Sequence, residues 1–202
     1  MRIRSVGAHA LLLEVDSTAA VAALHTELVR RRAAGLLAGV TEIVPAARTV
    51  LLDGVSAPEP LARDLAGLVV PPVGPAEGPL IEVPVVYDGA DIDEVTALWG
   101  APVAAVHPSF EYRVAFCGFS PGFGYLTGLP EGLHVPRRAS PRTVVPAGAV
   151  AVGGEFTGVY PRPSPGGWQL IGHTSAVAWD PDREPAALFT PGTRVRFVAV
   201  SP

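Results

Sequence analysis

The 202-residue sequence predicts an α+β chain: a small N-terminal α/β sandwich followed by a β-barrel. Three observations carry that prediction. The first 70 residues alternate strand-like runs with two helical stretches. The segment PPVGPAEGP, residues 71–79, packs four prolines and two glycines into nine positions, which separates a unit over 1–75 from one over 80–202. From residue 111 onward glycine and proline recur every few residues between short β-type runs, the punctuation of a closed or nearly closed barrel rather than a parallel sheet.

Taken in order, His9–Val15 is an apolar, strand-like run. Ser17 then has the side chain of an N-cap for a helix through Ala34, with Val21, Leu24 and Leu28 on one face. Arg30, Arg31 and Arg32 fall in its last turn, where cations complement the helix dipole, and Gly35 stands where a left-handed cap belongs. Strands are expected near Thr41–Val44 and Arg48–Leu52, then a helix over Glu59–Leu68. Past the boundary, Leu80–Tyr87 reads as a strand, and Asp91 with Glu94 three residues on has the spacing of a capping box. Helix-start chemistry accounts for the acidic cluster Asp88, Asp91, Asp93 and Glu94 more simply than a metal site does. The barrel strands are expected at Tyr112–Phe116, Ala149–Val152, Gly158–Tyr160, Trp168–Ile171, Ala176–Trp179 and Arg194–Val200.

Composition narrows the chemistry. The chain is 49% hydrophobic with a formal net charge of −4, so disorder is excluded, and neither nucleic acid nor an anionic membrane surface is an expected partner. All fifteen basic residues are arginine. Without lysine there is no Walker lysine, Schiff base, Ser-Lys dyad or biotinylation site in this sequence. The single cysteine, Cys117, makes no internal disulfide and fits a reducing, cytoplasmic setting. Glu14 and Asp16 interrupt the N-terminal apolar run too early for a signal peptide, and no run approaches the ~18 apolar residues of a membrane span.

Gly118-Phe119-Ser120-Pro121-Gly122 matches the G-x-S-x-G nucleophile elbow in form only. That elbow needs the N–H of the residue after serine for its oxyanion hole, and Pro121 has none. The five histidines form no HxH or HxxxH pair, so no metal face is written locally. Three segments remain. GFSPGFGYLTGLP (118–130) sets Phe119, Phe123 and Tyr125 in a glycine-rich loop that either lines a pocket or covers a barrel end. PRRASPRTVVPAG (136–148) holds Arg137, Arg138 and Arg142 on a proline-stiffened backbone, suited to bidentate anion binding. SPGGWQLIGHT (164–174) adds a Gly166–Gly167 turn beside Trp168 and Gln169. Together they point to a site for a small anionic molecule. Arg142, with few acids nearby in sequence, is expected at that site rather than in a surface ion pair.

These same runs, with IEVPVVYDG and the His107 region before them and DPDREPAALFTPGTRVRFVAV after, resemble the family of the 5-oxoprolinase B subunit, also known as allophanate hydrolase subunit 1 and including the kinase inhibitor KipI. Gly124 and Phe156 depart from the family pattern. The resemblance implies a cyclophilin-like barrel and partnership with proteins like the A and C subunits of 5-oxoprolinase in opening 5-oxoproline to glutamate with ATP and Mg²⁺. It also implies two alternatives: a urea carboxylase or allophanate-type carboxyltransferase part, or a KipI-like inhibitor of a sensor histidine kinase. For lactam opening, Arg142, Glu155 and His173 are the expected catalytic groups. The expected binding residues are His107, Phe119, Phe123, Tyr125, Arg137, Gly166, Gly167, Trp168 and Gln169, with no metal held by this chain.

Overall fold

A computed structural model describes residues 1–70 and 78–201, so most of the expected boundary segment 71–79 lies outside the described residues. The chain divides into two compact units, Met1–Ala76 and Glu77–Pro202.

In the first unit, β1 (Arg2–Val6), β2 (Ala10–Glu14), β3 (Glu42–Pro45) and β4 (Thr49–Asp53) form one antiparallel sheet in the order β1-β2-β4-β3. β1 was not expected; its side chains are mostly exposed, so it lacks the apolar alternation that announces a strand. α1 (Thr18–Ala33) starts at Ser17, whose hydroxyl accepts from the Ala20 amide at 3.1 Å. It ends in a Schellman motif: Gly35, at φ +74°, donates to Arg32 O, and Leu36 donates to Arg31 O. Arg30 and Arg31 both bond Glu27, which holds that carboxyl down to about 2. With α2 (Pro58–Ala66), α1 covers a core that includes Leu11, Leu13, Leu24, Leu28, Val50, Leu52 and Leu65.

In the second unit seven strands form one curled sheet: β5 (Leu80–Val85), β6 (Glu111–Cys117), β7 (Gly124–Thr127), β9 (Ala149–Gly153), β10 (Phe156–Val159), β12 (Gln169–His173) and β13 (Arg194–Ala199). The order is β12-β9-β10-β7-β6-β13-β5, antiparallel except for β5 on β13. Val86, just past β5, makes one antiparallel bridge to His173 of β12, so the two edges of the sheet meet at a single rung. Gly89 and Gly172 permit that approach: a Cβ on either would lie 2.3 Å from a carbonyl oxygen of the facing segment.

Strand alternation gives the sheet two apolar faces. Val83, Val85, Val114, Leu126, Val150, Val152, Ile171 and Phe197 belong to the main core. Ala149, Ala151, Tyr125, Phe156 and Leu170 belong to a second cluster with Trp168, Tyr160 and Val145. A separate two-stranded antiparallel sheet of β8 (Arg142–Val145) with β11 (Ser164–Gly166) supplies Val145 to that cluster. Helix α3 (Ile92–Trp99) packs on β12, and the short α4 (Val103–Val106) follows it.

Three local expectations are corrected. The 118–130 segment is not all loop, because its Gly124–Thr127 stretch is β7, bonded to both β6 and β10. Ala176–Trp179 is not a strand; only the bridge from Trp179 to Ala187 forms there. Asp91 precedes α3 as expected, yet its carboxylate makes no cap bond, and no capping box forms.

Candidate functional site

Seven of the twelve expected site residues line one pocket of about 210 Å³ on the second unit: Phe119, Phe123, Tyr125, Arg137, Gly166, Gly167 and Trp168. Tyr160 and Pro165, absent from the expected set, complete it. The aromatic side chains meet edge to face. Phe123 lies 5.2 Å from Tyr160 and 5.5 Å from Trp168, and Tyr125 lies 5.6 Å from Trp168, centroid to centroid. Trp168 is seated by two glycines: a Cβ on Gly153 would come within 2.7 Å of the indole, and one on Gly158 within 3.0 Å.

Arg137 provides the pocket's charge. Its guanidinium carbon stands 6.0 Å from the Trp168 ring centroid, within cation–π range. Among the described residues no carboxylate lies within ion-pair distance of Arg137. Burial pushes the Tyr125 and Tyr160 phenols up while Arg137 pulls both the other way, so the cation acts on both hydroxyls. Both phenols therefore stay protonated at neutral pH, as hydrogen-bond donors near a cation.

The neighbouring arginines have a different fate. Arg138 Nη1 and Arg142 Nη2 both donate to Asp91 Oδ1, at 2.6 and 2.7 Å, and the Leu170 amide donates to Oδ2 at 2.7 Å. The Asp91 side chain is 4% exposed. Burial pushes its carboxyl up, but Arg142, the Leu170 amide and Arg138 outweigh it and hold the group below its usual range. Arg142 is therefore in an ion pair, though not a surface one: its partner is the buried Asp91, 51 residues away. The Asp91 knot fixes the backbone that carries Arg137, and Arg138 N also donates to Gly167 O at 2.8 Å.

The other expected residues lie elsewhere. His107 is fully buried, with Nδ1 2.7 Å from the Tyr87 hydroxyl and Nε2 3.0 Å from Thr157 Oγ1. Burial holds it down to about 3, so it is a neutral core histidine. Gln169 is also buried, donating to Glu94 Oε1 at 3.0 Å. His173 ends β12 on the surface, its Nδ1 2.8 Å from Asp88 Oδ1. Glu155 sits in the β9–β10 turn, not in the pocket lining. Ser120 occupies a turn with no helix after it, which matches the rejection of the nucleophile elbow. Among the described residues no group of three or more His, Cys, Asp or Glu side chains gathers as a metal site, and no helix is long and apolar enough to cross a membrane.

Residues 1–189 match the family described as carboxyltransferase domain, subdomain C and D. The chain belongs to that family. Among curated members, the 5-oxoprolinase B subunit of Escherichia coli O157:H7 is 56% identical over 128 residues, 60% of this chain and 59% of that protein. The Bacillus subtilis (strain 168) protein of the same name is 41% identical over 128 residues, covering 53% of its length. The match thus spans under two thirds of these relatives. Among solved structures, TTHA0988 superposes with a TM-score of 0.78 at 35% identity, over 96% of this chain and 40% of that one. The uncharacterized protein PH0987 from Pyrococcus horikoshii gives 0.58 at 31% identity, over 99% and 98%. Kluyveromyces lactis urea carboxylase gives 0.72 at 18% identity over 98% of this carboxyltransferase-family chain and 22% of its own, a likeness of fold.

Proposed function

We propose that this chain is one component of an ATP-dependent 5-oxoprolinase, inactive alone, which receives the lactam acid in its aromatic pocket. Arg137 carries this reading: an uncommitted guanidinium beside a small apolar pocket suits a compact ring with one carboxylate. The name borne by the curated relatives supports the reaction. On this reading Trp168 and Tyr125 face the ring, Arg137 takes the carboxylate, and the Tyr125 and Tyr160 hydroxyls donate to the lactam oxygen. These donors stabilise the negative charge that builds up on that oxygen as the ring opens.

ATP and Mg²⁺ do not fit this chain's pocket. Its 210 Å³ falls below the roughly 300–1,000 Å³ of sites for larger ligands, and no carboxylate lines it to hold a cation. The nucleotide is therefore assigned to a partner resembling the A or C subunits of 5-oxoprolinase, in the cytoplasm, with the curled sheet as a cyclophilin-like barrel. Arg142 and Asp91 position the wall, while Glu155 and His173 take no step in the pocket.

The test is reconstitution of the chain with proteins resembling the A and C subunits, taken from the same source, following ATP-dependent glutamate formation. The complete set turns over, and omission of this chain abolishes turnover. Arg137→Gln lowers kcat/KM by about 30- to 1000-fold, as expected for loss of a charge-assisted contact of about 2–4 kcal/mol. Full activity without this chain overturns the reading.

A further inference from the structure

Phe119 is the one non-glycine residue among those described that has a positive φ, +66°. Ser120 N donates to Gly118 O at 2.7 Å, closing a three-residue γ-turn around it. A γ-turn with positive φ at its centre is rare and strained, and an aromatic side chain is poorly suited to it. The ring gains little in return within the chain, since Phe119 is 57% exposed. It meets two protein rings, both in T-shaped pairs, with centroids 5.2 Å from Phe123 and 6.1 Å from Tyr160.

The turn is braced against relaxing. Gly118 N donates to Phe123 O, and Phe123 N donates to Ser120 O. Gly122, at φ +84°, is pressed onto the next segment, where a Cβ would lie 2.7 Å from Trp179 Cβ and 3.0 Å from Ala178 O. The chain thus holds an exposed phenyl ring, in an unfavourable backbone conformation, at the lining of the pocket that also carries Arg137.

We infer that Phe119 is the specificity-determining wall of the pocket, a ring that becomes buried against the apolar body of the bound acid. This rests on the proposed function for the identity of that acid. The missing burial is supplied by the ligand, and the strained turn aims the ring before the ligand arrives. Selectivity then follows from shape: a flat five-membered ring fits between Phe119 and Trp168, while an open-chain amino acid leaves the phenyl ring wet.

Phe119→Gly and Phe119→Ala separate this role from a structural one. Glycine accepts φ +66° without strain, whereas alanine keeps the strain and loses the ring. The glycine variant should therefore melt roughly 2–8 °C above the alanine variant. In the reconstituted complex both should raise the KM for 5-oxoproline about tenfold or more, with kcat little changed. Phe119→Leu should recover part of the loss. Calorimetric titration of the same complex with 5-oxoproline and with glutamate should show the preference for the ring shrinking in both variants.

An unchanged KM and preference in the glycine variant overturns the inference, while wild-type turnover leaves the proposed function standing. A glycine variant that melts below the alanine variant also overturns it. Unchanged affinity with lost co-purification of the partners assigns Phe119 to an interface with a partner protein instead and overturns it too. If the wild-type complex shows no turnover, the proposed function falls, and a titration without 5-oxoproline binding takes the inference with it.

Discussion

Acid should destabilise the second unit through His107. In the folded chain this imidazole is held at about 3 by burial, against 6.5 for an unperturbed histidine. The unfolded chain therefore binds the proton first. Stability is fully present above pH 6.5 and declines as pH falls toward 3. At pH 4.5, two units below the unfolded value, the loss is about 3 kcal/mol. That is a large part of the roughly 5–15 kcal/mol that holds a typical domain together. Its hydrogen bonds to Tyr87 and Thr157 leave no carboxylate to compensate a charged ring. Urea unfolding of wild type and His107→Gln at pH 7.5 and 4.5 measures this directly. The glutamine amide does not titrate, so the wild type should lose about 2–3 kcal/mol more than the variant. Acid effects at the other groups are common to both proteins and cancel in the difference. Parallel losses in the two proteins would refute the reasoning.

Asp91→Asn should destabilise the second unit by about 2–4 kcal/mol, because two arginines lose their shared carboxylate in a mostly buried place. The carboxyl is held low in the folded chain, so this contribution is present at neutral pH and goes as pH falls through the folded value; urea unfolding at pH 7 reads it, and an unchanged midpoint contradicts it. Gly158→Ala should shift Trp168 emission and lower stability by about 1–3 kcal/mol, since the new methyl meets Trp168, Phe123 and the Gly124 carbonyl at 3.0–3.1 Å. Unaltered emission and unfolding would show that the indole has room to move.

Local signals were readable wherever the chemistry was local. Ser17 and Gly35 bound α1 as their side chains and conformations require, and the apolar runs of β2, β9 and β13 formed strands. The pocket was legible for a different reason: aromatics in a glycine-rich segment and a glycine turn beside tryptophan are themselves unusual. What stayed hidden depended on distance along the chain. Asp91 looked like a cap because its real partners, Arg138, Arg142 and the Leu170 amide, lie 47, 51 and 79 residues on. His107 looked available because nothing in its neighbourhood reveals Thr157, fifty residues later, closing around it. Tyr160 was missed although it stands between two of the recognisable segments, since its place beside Phe123 depends on backbone bonds to Gly148 and Ala149 that its own neighbourhood does not announce.

The single rung between Val86 and His173 sets an order on assembly. Asp91 follows Val86 by five residues, and its amide and carboxylate both bond Leu170, so the seam of the sheet and the anchor of the arginine segment are one stretch of chain. In equilibrium terms such long closures are cheap, since each doubling of loop length adds only about 0.6 kcal/mol. In kinetic terms they belong to the slow class of non-local pairings. The wall that carries Arg137 should thus become rigid only once the two ends of this long stretch have met.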